Sequence, residues 1–256
     1  MITAGIDVGA KTIKVIVLMD GKVIGRSMVM GGLDQKKSAD EALQKALAEA
    51  KVAREQIAKI YATGAGRTHA PFSNGDITEV GADARGAYSL FPTARTVIDV
   101  GAEEGRSIRI DGTGKVVDFA VNEKCAAGAG SFTEAMARAL EVPLEELGSL
   151  SLKSTQAVPM NAQCAVFAES EVVTMVHNKV PKADMARAIH EAIASRITSM
   201  VRKVGFEKDV VLIGGVARNV GFVKALERDL GVEVKIPQEP EFVGALGAAI
   251  SAARGA

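Results

Sequence analysis

Two stretches of the chain share one pattern of apolar runs and polar turns. Apolar runs cover residues 2–8, 13–19 and 23–29, and short turns separate them. Runs of this length bounded by turn residues are typical of strands, so three in succession predict an antiparallel meander. From Thr96 onward the same order of run and turn returns, shifted by 92 residues. The pattern therefore predicts an internal duplication, with a βββαβ unit in each half.

A short Asp-Val-Gly turn ends the first strand of each half, at 7–9 and again at 99–101. Glycine lets the backbone come close to a ligand, and a carboxylate can hold Mg²⁺ or its waters. A single turn of this kind is commonly no more than a hairpin. Two of them directed into one crevice suit a nucleoside triphosphate with Mg²⁺.

Helical spacing of apolar residues follows the strands in both halves. The longest such stripe, 185–204, predicts an amphipathic core helix in which His190 is expected to be a bystander rather than a ligand. The apolar run 210–213 then enters Gly214-Gly215, where backbone without side chains can pass under a nucleoside, although a plain turn before a helix is the alternative. Residues 143–152 are expected to be a connector. The fold class is α/β, with lobes at 1–95 and 96–256 and a final helix that can return to the first lobe.

These segments supply the candidates for nucleotide binding and hydrolysis. We expect Asp7 and Asp99 to hold Mg²⁺. Catalysis is assigned to four carboxylates, those of Asp7, Asp99, Glu103 and Glu104. The cofactor-binding candidates are Gly9, Ala10, Lys11, Thr12, Gly101, Ala102, Gly128, Gly130, Gly214 and Gly215.

The chain has two cysteines, and both precede predicted helices. Cys125 lies in the small-residue loop 122–131, where Ser131 and Glu134 have the spacing of a capping box, and Cys164 lies at the start of the next apolar stripe. A helix N-terminus lowers the pKa of a thiol and suits an anionic metal-thiolate group. The alternative is that both are ordinary small buried side chains.

A metal site or iron-sulfur cluster needs about four ligands. The sequence has no CxxC motif, and none of its three histidines stands at ligand spacing to a cysteine. Two subunits that each give two thiolates would together supply the four ligands. The cysteines therefore predict a cluster that bridges a dimer.

Composition narrows the class of protein further. The 256 residues carry 31 basic and 31 acidic side chains and are 48% apolar, which is ordinary for a soluble globular protein and gives no sign of nucleic-acid binding. There is no apolar run of membrane-spanning length and no signal-peptide pattern at the start. We expect a cytoplasmic protein, in which two cysteines act as ligands or free thiols rather than as a disulfide.

With the two Asp-Val-Gly turns and Gly214-Gly215 in this order, the chain resembles the actin, sugar kinase and Hsp70 superfamily of ATPases. The segments Asn122-Glu-Lys-Cys-Ala-Ala-Gly128 and Cys164-Ala-Val-Phe-Ala-Glu-Ser-Glu171 resemble the BadF/BadG/BcrA/BcrD family. The resemblance implies a duplicated ATPase fold with two lobes around a nucleotide cleft. It further implies that Cys125 and Cys164 of two subunits hold one [4Fe-4S] cluster, and that ATP drives an electron from a ferredoxin or flavodoxin donor to an acyl-CoA partner enzyme of anaerobic metabolism.

One segment departs from the pattern of this family. Activators of 2-hydroxyacyl-CoA dehydratases usually have Gly-Gly-Gln-Asp in the second turn, whereas this chain has Gly101-Ala102-Glu103-Glu104. The stretch Ala84-Arg85-Gly86-Ala87-Tyr88 and the Gly105-Arg106 variant look more like the smaller ATPase subunit of an aryl-CoA reductase. The resemblance therefore favours the ATPase subunit of a benzoyl-CoA type reductase, paired with a related second ATPase chain. The alternative is a homodimeric dehydratase activator. A small-molecule kinase or a non-enzymatic scaffold of the same fold is more remote, because neither would need the cysteines.

Overall fold

The computed structural model of the chain describes residues 1–122, 130–160 and 164–255. The chain forms two compact units. The first contains Met1–Arg95, Ile110–Val117 and Pro237–Ala256, and the second contains Thr96–Arg109 and Asp118–Ile236. The last segment of the chain thus belongs to the unit that its first segment builds.

The strands and longer helices follow one another as β1 (Ile2–Val8), β2 (Thr12–Met19), β3 (Lys22–Met30), α1 (Gln35–Ala50), β4 (Ile57–Thr63), β5 (Gly75–Asp76), α2 (Glu79–Leu90), β6 (Thr96–Val100), β7 (Gly105–Ile110), β8 (Val116–Asn122), α3 (Gly130–Ala139), α4 (Leu144–Ser151), α5 (Ala165–His177), α6 (Lys182–Val204), β9 (Val210–Ile213), α7 (Val220–Leu230), β10 (Val234–Lys235) and α8 (Val243–Arg254).

Two sheets of the same topology organise the chain. One has the order β3-β2-β1-β4-β5, and the other has β8-β7-β6-β9-β10. In both sheets the first strand pairs antiparallel with the second and parallel with the fourth, and the fourth pairs parallel with the fifth. The predicted duplication is confirmed. This is the duplicated α/β fold of the actin, Hsp70 and sugar-kinase ATPases.

The core of the first unit follows from the two-residue period of its strands. Ile13, Val15 and Val17 of β2 pack in the cluster formed with α1, whereas Ile16 and Leu18 pack in the cluster formed with α8. Small residues let α8 lie very close to its neighbours. A Cβ built on Gly5 would be 2.1 Å from the carbonyl oxygen of Ala245, and one on Gly247 would be 1.8 Å from that of Ala82.

The second unit differs from the first by an insertion. Only residues 31–34 separate β3 from α1, whereas 123–181 separate β8 from α6, the corresponding helix. This insertion contains α3, α4, α5 and both cysteines. Helix α4 lies where the sequence predicts a connector, because Leu147 packs fully buried in the core of the second unit.

The predicted capping box at Ser131 is wrong. Helix α3 begins one residue earlier, at Gly130, so Ser131 lies inside the first turn and its Oγ has no hydrogen-bond partner within the described part of the chain. A tertiary contact fixes the helix start instead, since the N–H groups of Gly130 and Ser131 donate to the carbonyls of Gly101 and Ala102, both at 2.8 Å.

Candidate functional site

The first Asp-Val-Gly turn joins β1 to β2 and is closed by a hydrogen bond from Gly9 N to Thr12 O (3.2 Å). The register of the two strands sets Asp7 opposite Lys14. Lys14 Nζ donates to Asp7 Oδ2 at 3.1 Å, and both side chains are largely buried. Ala10 and Lys11 are exposed at the tip of the turn.

The second turn, between β6 and β7, repeats this geometry. Gly101 N donates to Glu104 O at 2.9 Å, and the strand register sets Asp99 opposite Arg106. Arg106 Nη1 donates to Asp99 Oδ2 at 2.6 Å, and its Nη2 donates to Glu104 Oε2 at 2.5 Å. Glu103 is exposed at the tip. The second aspartate thus belongs to an ion-pair network of at least three residues.

Each aspartate lies against a glycine in the left-handed region of backbone conformation. Gly64 follows β4 with φ +93°, and a Cβ there would be 2.6 Å from Asp7 Oδ1 and 2.4 Å from Val8 O. Gly214 follows β9 with φ +86°, and a Cβ there would be 2.4 Å from Asp99 Oδ1. A side chain at either position would displace the carboxylate. By contrast, a Cβ on Gly215 would meet nothing within 4 Å, so a ligand can approach its backbone.

The sequence interpretation missed three of these partners: Lys14, Arg106 and Gly64. A signal was available for the two cations, because each stands seven residues after its aspartate and the two are separated by the same 92 residues as the turns. A further acidic residue, Asp83 of α2, is buried and approaches Asp7. A Cβ on Gly244 would lie 3.1 Å from Asp83 Oδ1 and 3.8 Å from Asp7 Oδ2.

The cysteine region adjoins the second turn through α3. The two N–H groups at the start of α3 are bonded to the carbonyls of Gly101 and Ala102, so the N–H of Gly130 is not available to a ligand. Helix α3 packs against α5. Cys125 and Gly128 lie outside the described residues.

Cys164 is the N-cap residue of α5, as the sequence predicts for the start of this helix. It is exposed and forms no disulfide. Its helix also exposes apolar side chains to an unusual degree, since Val166 is 68% and Phe167 69% accessible. Among the residues that the structure describes, no group of three or more His, Cys, Asp and Glu side chains could hold a metal ion. A metal centre at Cys164 therefore requires ligands from elsewhere.

The described part of the chain contains no helix long and apolar enough to cross a membrane.

The duplicated fold and its paired Asp-Val-Gly turns define an ATPase of the actin-like class. Residues 4–252 match the BadF/BadG/BcrA/BcrD ATPase family, and the chain belongs to this family. The activator of lactoyl-CoA dehydratase from Anaerotignum propionicum is 40% identical over 252 residues, which cover 98% of this chain and 97% of that protein.

Solved structures of two dehydratase activators superpose closely. The (R)-2-hydroxyglutaryl-CoA dehydratase component A of Acidaminococcus fermentans gives a TM-score of 0.96 at 38% identity, covering 100% of this chain and 98% of that chain. The activator of the 2-hydroxyisocaproyl-CoA dehydratase from Clostridium difficile, solved with bound ADPNP, gives 0.93 at 35% identity, covering 100% and 95%.

These comparisons change which function is favoured, that of a reductase subunit or that of a dehydratase activator. One of the benzoyl-CoA reductase subunits from Thauera aromatica is 34% identical over 260 residues, covering 97% of this chain and 92% of that protein. The activators are more similar to this chain than that reductase component is. Similarity over the whole chain therefore favours the alternative, a dehydratase activator, over the reductase subunit that the local segments favoured.

Proposed function

We propose that the chain is an ATP-hydrolysing activator of a 2-hydroxyacyl-CoA dehydratase. The observation that carries this proposal is its similarity to dehydratase activators over nearly its whole length, at 40% identity to one of them. In this role the protein acts as a homodimer, receives an electron from a ferredoxin or flavodoxin, and passes it to a separate dehydratase in the cytoplasm.

The residues of the second unit fit a [4Fe-4S] cluster shared between two chains. Cys164 offers an exposed thiol at the N-terminus of α5, and thiolates are the usual ligands of such clusters. Because one chain has only two cysteines, Cys125 and Cys164 of a second copy supply the remaining ligands. The exposed Val166 and Phe167 support this arrangement, because apolar side chains next to a ligand are suited to burial in an interface. When bound, the cluster supplies a one-electron carrier of low potential.

The two turns fit ATP and Mg²⁺. One oxygen of each aspartate is already taken by Lys14 or Arg106, so we assign Asp7 and Asp99 to water molecules of the Mg²⁺ shell rather than to direct ligation. Lys11 and Thr12 are assigned to the phosphates, and the open backbone at Gly215 to the nucleoside. Glu104 is held by Arg106, which leaves the exposed Glu103 to orient the attacking water.

Within the second unit, a series of contacts connects the second turn, which we assign to ATP hydrolysis, with the helices next to the cysteines. The carbonyls of Gly101 and Ala102 accept the first N–H groups of α3, and α3 packs against α5. A nucleotide-dependent change in the second turn therefore displaces the helix that follows Cys125. Movement of ligating segments changes the surroundings of a cluster and hence its reduction potential.

Iron analysis after anaerobic purification tests the proposal. We expect the wild-type dimer to be brown, to carry one cluster and to activate a separately purified dehydratase. Cys164→Ser should lose nearly all iron, because a site that needs every ligand loses most of its affinity with one. The matched control is Thr174→Ala on the exposed face of the same helix, which should retain iron. Wild-type iron in Cys164→Ser contradicts the cluster assignment.

Affinity purification of the tagged chain separates the activator from the reductase component. An activator must leave its target after electron transfer, so a lone homodimer is expected. Stoichiometric recovery of a second ATPase chain together with reductase components would replace the proposed function by the reductase interpretation.

A further inference from the structure

A cavity of about 90 Å³ lies among α4, α6 and α7 of the second unit, and none of the turn residues described above lines it. Its rim is exposed and basic, since Lys224 and Arg228 of α7 stand there with more than half of each side chain accessible. Its floor is His190 of α6, which is 1% accessible. The cavity thus leads from charged surface to a buried imidazole.

The imidazole of His190 lacks the partners that a buried polar group normally has. Neither ring nitrogen has a hydrogen-bond partner within the described chain. Burial lowers the pKa of His190 to about 4, so at neutral pH one nitrogen donates and the other accepts. The ring lies tightly against α7, because a Cβ on Gly221 would be 2.7 Å from its Nδ1. A buried polar group without a partner is costly, so a polar occupant is expected beside it.

The charges around the cavity indicate whether that polar occupant is an anion or a cation. Arg187 Nε and Arg228 Nη1 both donate to the same oxygen of Glu191, at 2.7 and 2.6 Å, and Lys224 pairs with Glu227 at 2.9 Å. Three cations line the cavity, whereas neither glutamate does. The nearby Asp184 accepts hydrogen bonds from the N–H group of 156, from Ser154 Oγ and from the N–H group of 155, and these bonds together with the charge of Arg187 lower its pKa. Among the described residues, the cavity wall itself therefore carries three cationic donors and no carboxylate, and the glutamates that pair with these cations lie behind the wall.

We propose that this cavity binds a phosphoryl group, through Lys224 and the two arginines at its mouth and the ring of His190 at its floor. The volume accommodates several water molecules or one tetrahedral oxyanion, and it is far smaller than the roughly 300 Å³ at which pockets for whole small-molecule ligands begin. The occupant is thus free phosphate or the terminal phosphate of a larger molecule whose remainder stays outside. The proposal does not depend on the proposed function.

The histidine signals in an NMR spectrum give a local readout, because the chain has only three histidines. The protein is kept saturated with ADP and Mg²⁺, and inorganic phosphate is titrated against chloride at constant ionic strength. We expect the ring signals of His190 to shift saturably. Lys224→Gln should weaken the apparent affinity about tenfold, the equivalent of one charge-assisted hydrogen bond. The control Lys203→Gln removes an exposed cation of α6 that lies outside the cavity and should behave like wild type.

A second titration, with glycerol phosphate in place of inorganic phosphate, distinguishes free phosphate from the terminal phosphate of a larger molecule. A saturable shift with both compounds assigns the site to the phosphate of a larger molecule, and a shift with inorganic phosphate alone assigns it to the free ion. The proposal is overturned if the His190 signals do not respond to either compound, or if Lys224→Gln responds with wild-type affinity. The cavity then contains only water.

Discussion

The two Asp-Val-Gly turns are built alike but are neutralised differently. In the first, the ammonium group of Lys14 donates to Asp7 at 3.1 Å. In the second, one arginine joins Asp99 and Glu104 at 2.6 and 2.5 Å, and the arginine and aspartate side chains are only 8% and 11% accessible. A guanidinium holds its partners in a rigid planar fork, whereas an ammonium group is a compact charge on a flexible stem. The second turn is therefore the more rigid of the two.

The rigid turn is also the one that is connected to the insertion. Its carbonyls anchor α3, and residues 123–181, between β8 and α6, contain both cysteines. The corresponding stretch of the first half is only four residues long, 31–34. The duplicated strands and helices thus form the ATPase fold. The residues that we assign to electron transfer lie in the insertion, which only the second half contains.

The largest expected effect tests what the two turns share. Asp7→Asn and Asp99→Asn should each lower the rate of ATP hydrolysis about 100-fold or more, because each removes a charge that we assign to the Mg²⁺ shell. Iron content should not change. The control is Asp118→Asn, an exposed aspartate of β8. If both variants hydrolyse ATP at the parent rate, the assignment of the turns is wrong, and if only one is impaired the two turns are not equivalent in function.

The next effect tests how the turns differ. Arg106→Met leaves the buried carboxylate of Asp99 and the partly exposed one of Glu104 without this cation, and should lower the free energy of unfolding by about 3–5 kcal/mol, mainly through Asp99. Lys14→Met leaves the carboxylate of Asp7, which is slightly more accessible than that of Asp99, without this cation and should cost about 1–3 kcal/mol. Urea denaturation of the two variants measures the difference. Arg106→Lys should fall between wild type and Arg106→Met, and an equal loss in both Met variants would remove the proposed difference in rigidity.

Local patterns predicted the three-stranded meander of each half, the duplication and the start of the Cys164 helix, because apolar periodicity and turn residues are properties of neighbouring positions. The same patterns failed where a segment that is distant in sequence determines the start of a helix. The start of α3 is fixed by carbonyls some 30 residues earlier, which no capping motif at Ser131 can show.

The partners of the aspartates required another kind of information. Lys14 and Arg106 depend on strand register, which becomes evident only when the two halves are compared. The burial of His190 depends on the absence of a side chain at Gly221, on a different helix. Sequence periodicity could place His190 on a core helix but not beneath a cavity.

The last comparison concerns the response of the two units to acid. In the second unit His190 is buried and has a pKa of about 4, whereas the histidine of the first unit, His69, is exposed. Because the folded pKa lies below the ordinary value of 6.5, the unfolded chain binds a proton between these values that the folded chain does not. The stabilisation is therefore complete above pH 6.5 and is lost as the pH falls towards 4. Its full size is about 3 kcal/mol.

His190→Gln should remove this part of the pH dependence, because the amide does not titrate, while His69→Gln should leave it unchanged. Unfolding in urea near pH 7 and near pH 4 gives the difference between the variants. Carboxylates contribute to acid denaturation in every variant, so only that difference reports on the imidazole. Hydrogen exchange should at the same time show protection lost in α6 and α7 before it is lost in β1 and β4. If wild type and His190→Gln lose the same stability between the two pH values, the buried imidazole is not what makes the second unit the more acid-sensitive one.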